Sequence, residues 1–223
     1  MEWQIFGETV VFWLGGIPVT TTMITSSIIS LALVGVAWTL RAALSRSPHG
    51  TPAALALLTV EWLDRLVRDV AGRAEPALVT LSGTLFLFIA ACNLGGQLPG
   101  VRPPTASLAT TSALAIIVFL AVPVAGIRAR GVRGYLLGYF RPNPLLAPLH
   151  VISELSRTLA LSMRLFGNMM SGHLVVALLV MLTGFLVPMP LMALDMLIGL
   201  LQAYIFAVLA TVYVGAAIRT GEA

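Results

Sequence analysis

Long apolar runs, separated by short stretches rich in Gly, Pro or Arg, make up most of the chain. The first, 23–44, is long enough to cross ~30 Å of hydrocarbon at ~1.5 Å per residue, and Arg41 and Arg46 lie at its far end. Beyond the break at Ser47–Pro52 the pattern changes. Over 53–75, Leu55, Leu58, Trp62, Leu66 and Val70 recur at helical spacing, while Glu61, Asp64, Arg65, Arg68 and Asp69 fill other positions. That predicts an amphipathic helix lying in the membrane surface or against the spans, with a soluble partner-binding helix as the alternative. Pro76 opens a second span, 77–98, and the sequence GGQLPGVRPP at Gly95–Pro104 breaks it. A third span, 105–126, is followed by a basic loop carrying Arg128, Arg130, Arg133 and Arg141. After Pro142–Pro148 comes a run over 150–183 that would exceed ~50 Å as a helix, too long to stand upright in a bilayer. Gly184–Pro190 is the last break, and 190–218 the final long run.

The pattern predicts an all-α membrane protein forming a single membrane domain. It has about five transmembrane helices and one in-plane amphipathic helix, and the last two helices are long and strongly tilted. Composition agrees: 58% of the 223 residues are hydrophobic, 10% are charged, and the mean hydropathy is +0.97. Such a chain cannot hide its apolar surface from water in one core, so its solvent is lipid. The net charge is +4, with Arg as the only basic side chain besides His. The arginines lie mostly between apolar runs, where they set topology, and not on a basic helix with interleaved aromatics, so no nucleic-acid partner is expected. Two connections hold most of them, those between spans one and two and between spans three and four. By the positive-inside rule both are cytoplasmic, which puts the N-terminus outside and the C-terminus with Arg219 inside. The first 22 residues carry Glu2 and Glu8 and lack a basic start, so no cleavable signal is expected. Cys92, alone in an apolar run, excludes a disulfide framework or a cysteine zinc site.

Polar groups in the last two long runs carry the chemistry. An ionisable group at membrane depth costs ~3 kcal/mol or more and normally faces protein or water. Glu154, Arg157, Leu161, Arg164 and Asn168 share one helical face, and His173 lies two and a half turns beyond Arg164 on roughly the opposite one. Asp195 and Gln202 are two turns apart on one face. Folded antiparallel about the break near Gly184, the two runs place Arg164 level with Gln202 and His173 level with Asp195. No acid of this chain sits at the depth of Arg164, so its guanidinium calls for a carboxylate from elsewhere. His173 with Asp195 reads as a proton relay, since imidazole titrates near neutral pH, or as a structural hydrogen bond. Asn93, Thr110, Thr111 and Ser112 read as helix-packing groups. The two halves share no internal repeat, which argues against a secondary transporter. No HExxH occurs for a zinc hydrolase, and Ser171 faces away from His173.

The run RTLALSMRLFGNMMSGHLV, Arg157–Val175, closely resembles the signature of subunit a of F-type ATP synthases, and LLQAYIFAVLATVYV, Leu200–Val214, is similar to that family's last helix. NLGGQLP at Asn93–Pro99 and PTASL at Pro104–Leu108 are weaker echoes. The resemblance implies a non-catalytic stator subunit without a cofactor or metal, beside a ring of c subunits and held by peripheral-stalk b subunits in a bacterial inner membrane. Arg164 then matches the arginine that attracts each passing c-subunit carboxylate and separates two half-channels, through which ion flow couples to rotation. Gln202 matches the glutamine facing it, and Asn168 the motif's asparagine. Glu154 and Arg157 match polar positions at the cytoplasmic start of that helix. His173 stands where many members have glutamate and Asp195 where many have histidine, so the acid–imidazole pair is swapped. Ser107 replaces a frequent aspartate, Thr158 a frequent proline and His150 a common acid. These departures resemble a divergent second set of bacterial ATPases, some of which pump Na+, so the resemblance leaves H+ and Na+ both open.

Overall fold

Proline and glycine set the helix boundaries. The computed structural model describes residues 4–5, 8–14, 17–46, 50–72, 75–97, 103–140, 147–184 and 186–219. Within them run α1 (Thr21–Arg46), α2 (Thr51–Ala71), α3 (Pro76–Gly95), α4 (Leu108–Phe140), α5 (Ala147–Thr183) and α6 (Met189–Arg219). Pro52, Pro76, Pro148 and Pro190 stand first or second in α2, α3, α5 and α6, where a missing N–H costs no helical hydrogen bond. Gly72 and Gly184, both at φ 76°, close α2 and α5. Each donates its N–H back into the last turn, to the carbonyls of Arg68 at 2.8 Å and Val180 at 3.0 Å. Only a residue without Cβ adopts that left-handed cap freely. Arg73, Arg102 and Arg141, with parts of the breaks at Ser47–Pro52, Gly95–Pro104 and Pro142–Pro148, lie outside the described residues.

Five of these helices, all but α2, are long and apolar enough to cross a membrane. The fold is therefore all-α and polytopic. At ~1.5 Å per residue, the 37 residues of α5 reach ~55 Å, well beyond the hydrocarbon thickness. Three short antiparallel strands precede α1, β1 (Gln4–Ile5), β2 (Glu8–Leu14) and β3 (Ile17–Thr20). Leu14 pairs with Ile17 across two glycines. The strands are rich in β-branched and aromatic residues, which fits a hairpin; the apolar-run reading did not foresee it.

Two differences from the sequence reading have physical causes. The basic segment after Gly126 is helical, not a loop. α4 continues to Arg130, breaks at Gly131 (φ 74°, ψ 163°) and resumes. The ring of Tyr135 then folds back over Gly126, where a Cβ would lie 2.6 Å from it. In α2 the stripe turned toward protein is Leu63, Leu66, Val67 and Ala71, while Leu55 and Leu58 are exposed. Leu63 packs on Gly83 of α3 and Ala71 on Gly215 of α6, so α2 lies against the spans. Its outer polar face carries the i,i+4 ion pairs Arg65–Glu61 and Arg68–Asp64.

The main core joins α3, α4, α5 and α6 through Leu85, Ile89, Val118, Leu165, Met169 and Phe206. Small residues and hydroxyls bring the backbones close. Ser82 of α3 and Thr211 of α6 hydrogen-bond at 2.6 Å, and Ser162 of α5 donates to Thr111 of α4 at 3.3 Å. The Arg130 guanidinium donates to the Ala217 carbonyl at 2.9 Å, so the arginine-bearing part of α4 and the C-terminal part of α6 share one end of the bundle.

Candidate functional site

α5 is oriented by a stripe at four-residue spacing, Leu161, Leu165 and Met169, all buried in the core. That stripe turns the adjoining face outward, and Ala160, Arg164, Gly167, Asn168 and Ser171 are exposed on it. Arg164 has no hydrogen bond or ion pair to any described residue. A methyl placed on Gly167 would meet nothing within 4 Å. A cation in the middle of a spanning helix thus stands on the outside of the bundle between small side chains.

Along its length α5 meets α6 antiparallel in three polar contacts. At one end the Arg157 guanidinium lies 4.5 Å over the Tyr213 ring, a favourable stacking of a cation on a π face. Half-buried Glu154 lines a cleft there with Arg157, Thr158 and Tyr213. In the middle the Asn168 amide donates to Gln202 Oε1 at 2.9 Å. Gln202 is 2% exposed, and its Nε2 has no partner among the described residues. At the far end Asp195, 6% exposed, places Oδ1 against the Cα of Gly172, where a side chain would collide with it. Its Oδ2 accepts a hydrogen bond from Gln97 Nε2 at 2.9 Å. His173, half-buried, is within electrostatic reach of that carboxylate but makes no hydrogen bond or ion pair with it.

The partners differ from the levels read off the sequence. Gln202 bonds Asn168, one turn along α5 from Arg164, and Asp195 bonds Gln97 and not His173. The cause is the direction in which helical side chains lean, toward their own N-terminus. In an antiparallel pair the two sets lean opposite ways. By that rule Asn168 and Gln202 lean toward each other, as their bond shows, while a side chain at 164 is directed toward the Glu154 end.

The sequence reading gave Gln97 no role beyond the NLGGQLP echo, because it stands in a Gly- and Pro-rich break. Asn93, read as a packing group, donates to the Gly199 carbonyl at 2.7 Å and accepts from the Thr105 hydroxyl at 2.6 Å. Both bonds are buried, and they tie α3 to α6 and to the short helical turn Pro104–Ala106 beside the Asp195 contact. An amide inside an otherwise apolar run was the signal for it.

These features define a polytopic membrane protein with a cation on its outer face that has no partner among the described residues, and polar groups approaching that cation's level from both ends. The ATP synthase A chain family model matches residues 20–215, and the chain belongs to that family. It is 42% identical over 218 residues to ATP synthase subunit a 2 of Bradyrhizobium sp., covering 95% of this chain and 94% of the relative. It is 43% identical to ATP synthase subunit a 1 of Chlorobium luteolum, covering 97% and 98%. Identity to ATP synthase subunit a of Nitrosospira multiformis is 42%, covering 96% and 86%. The chain is accordingly a non-catalytic membrane subunit of an ATP synthase complex.

Proposed function

We propose that this chain forms two half-channels against the rotating c-ring of an F-type ATP synthase, so that proton flow through them couples to rotation. The observation that carries the reading is Arg164, exposed on α5 with no partner among the described residues and flanked on its face by Ala160, Gly167 and Ser171. Holding an unpaired guanidinium at that depth costs ~3 kcal/mol or more. A carboxylate brought by another helix offsets that cost, and small neighbours allow such a helix to approach closely.

The chemistry follows from what each group can do. A rotor carboxylate crosses lipid only when protonated or loaded with an ion. Facing Arg164 it is favoured in its ionised form, so it releases its proton there. Arginine does not lose its own proton, so it stays a fixed charge that opposes a direct leak of cations. The two polar ends supply the access paths. Asp195 and His173, with Gln97 and Asn93, serve one side; Glu154 serves the other, with Asn168 and Gln202 between. His173 supports the proton as the carried ion, because imidazole exchanges protons near neutral pH. The positive-inside rule assigns the arginine-bearing end to the cytoplasm and the Asp195 end to the outside of a bacterial inner membrane. The peripheral-stalk b subunits complete the stator.

Arg164→Ala in the intact complex should abolish ATP-driven ion uptake by inverted membrane vesicles while the chain still copurifies with the c-ring. Normal coupled uptake by that variant would sink the assignment. Uptake that requires Na+ in the wild-type complex would replace the proton as the ion.

A further inference from the structure

α3 and α4 both pack on α6 and hardly on each other. At the arginine-bearing end of the bundle this leaves a cavity of about 250 Å³ between the three helices. α4 lines it with Ala121, Ala125 and Ala129 at four-residue spacing, so that helix face supplies no bulk to close the gap. The lining changes character with depth. At the mouth stand Glu75, at the N-terminal boundary of α3, and Arg128 of α4. Leu81, further along α3, and Ala121, further back in α4, lie ~10 Å deeper at ~1.5 Å per residue, and Val214 of α6 joins the apolar floor. The rim is open sideways, since Ala77, Val124 and Ala129 are exposed. Neither charge at the mouth is used inside the chain. Glu75 and Arg128 form no ion pair with each other, and their side chains make no hydrogen bond or ion pair to any other described residue.

We infer that this cavity holds a phospholipid with a zwitterionic headgroup, its phosphate on Arg128, its ammonium on Glu75 and an acyl chain along Leu81, Ala121 and Val214. Two opposite charges held apart over an apolar shaft match the charge pattern of such a lipid. A guanidinium offers a fork of N–H donors to phosphate oxygens, whereas a carboxylate accepts and so takes the ammonium. The acyl chain follows from what else could fill the shaft. Left empty, it would forfeit the contacts of every atom that lines it. Water would find no polar side chain below the mouth. The inference uses no group of the ion path.

The test uses the intact complex in phosphatidylglycerol bilayers containing a trace of phosphatidylethanolamine with a photoreactive diazirine midway along its acyl chain. After irradiation the labelled residues are mapped by peptide mass spectrometry. Label on Leu81, Ala121 and Val214 should be several-fold higher than on Leu31 of α1, although Leu31 is 72% exposed. Replacing half of the phosphatidylglycerol with unlabelled phosphatidylethanolamine should compete the cavity label away and leave Leu31 unchanged. Arg128→Gln and Glu75→Gln should each lower the cavity label by about fivefold, the upper range for one solvent-facing ion pair. Ala125→Phe, which fills the shaft, should abolish it. Absence of cavity label in the unaltered protein would mean that the mouth is closed by another subunit or holds no lipid, and would overturn the inference. Cavity label indifferent to unlabelled phosphatidylethanolamine would overturn it equally, and neither result depends on a variant that folds. Full label in both Arg128→Gln and Glu75→Gln would overturn the assignment of the headgroup.

Discussion

Gly172 and Gly167 lie five residues apart on α5, yet a methyl group should act on them in opposite directions. At Gly172 a Cβ would collide with Asp195 Oδ1 and lie 2.8 Å from Asp195 Cγ. Asp195 cannot swing aside freely, because it is buried and its other oxygen is held by Gln97. Either α5 and α6 separate, an overpacking cost of ~1–3 kcal/mol, or the carboxylate leaves its donor, at ~1.5–3 kcal/mol for a charged hydrogen bond. Gly172→Ala should therefore destabilise the chain by ~2–3 kcal/mol, less the ~0.5–1 kcal/mol that Ala gains over Gly within a helix. Gly167→Ala meets nothing within 4 Å and should collect that gain undiminished. The readouts are the amount of chain assembled in the membrane and the temperature at which it leaves the purified complex. A change of ~1–2 kcal/mol moves steady-state abundance several-fold, so Gly172→Ala should be clearly depleted and Gly167→Ala should not. Equal abundance and equal release temperature for the two would refute the packing of Asp195 on Gly172. Gly167→Ala carries a second reading, since its methyl projects beside Arg164. If a rotor helix passes close there, coupled ion uptake should drop in a chain that is otherwise stable.

Asn93→Leu should cost ~2–4 kcal/mol, because it leaves the Gly199 carbonyl and the Thr105 hydroxyl buried without their 2.7 and 2.6 Å partners. Its measure is the same release temperature, and a wild-type value would show that neither bond matters. The Ser82–Thr211 pair should matter much less, because the Thr211 hydroxyl also bonds the Ala207 carbonyl at 2.9 Å. A double-mutant cycle of Ser82→Ala and Thr211→Val should give a coupling of ~0.6 kcal/mol, and a value of several kcal/mol would contradict that.

The helices were legible because lipid gives an apolar run of about twenty residues one meaning, and because Pro and Gly punctuate this chain so sharply. The face of α2 was not legible. In water, the stripe Leu55, Leu58, Trp62 and Leu66 would mark a core. In a bilayer, exposed leucines carry no penalty, so apolar periodicity stops telling protein contacts from lipid contacts. Leu63, Val67 and Ala71 then take the protein side because Gly83 and Gly215 offer room opposite them. The basic stretch after Gly126 misled in the other direction. Arginine is a good helix former, so charge marked a membrane boundary there without ending the helix, which only breaks at Gly131 and then resumes. Gln97 was hidden by its neighbours: glycines and prolines mark a turn, and nothing local says that a turn residue reaches across to Asp195 on another helix.

The side chains of the candidate site were named by the sequence except Gln97 and Tyr213, but their pairing was not, and the difference bears on how the site would work. Equal depth along two antiparallel helices suggests Arg164 opposite Gln202. The opposed lean of the side chains instead gives Gln202 to Asn168 and leaves Arg164 unsatisfied within the described chain. A guanidinium already bonded to a glutamine would have to break that bond as each rotor carboxylate arrived. One without a partner is available to every carboxylate in turn. Meanwhile the Asn168–Gln202 bond ties α5 to α6 one turn away and holds the backbone that carries the cation. On this geometry Asn168→Leu should loosen the placement of Arg164 without removing any charge. Coupled uptake should then fall with copurification intact, and lost copurification instead would make the Asn168–Gln202 bond a matter of assembly.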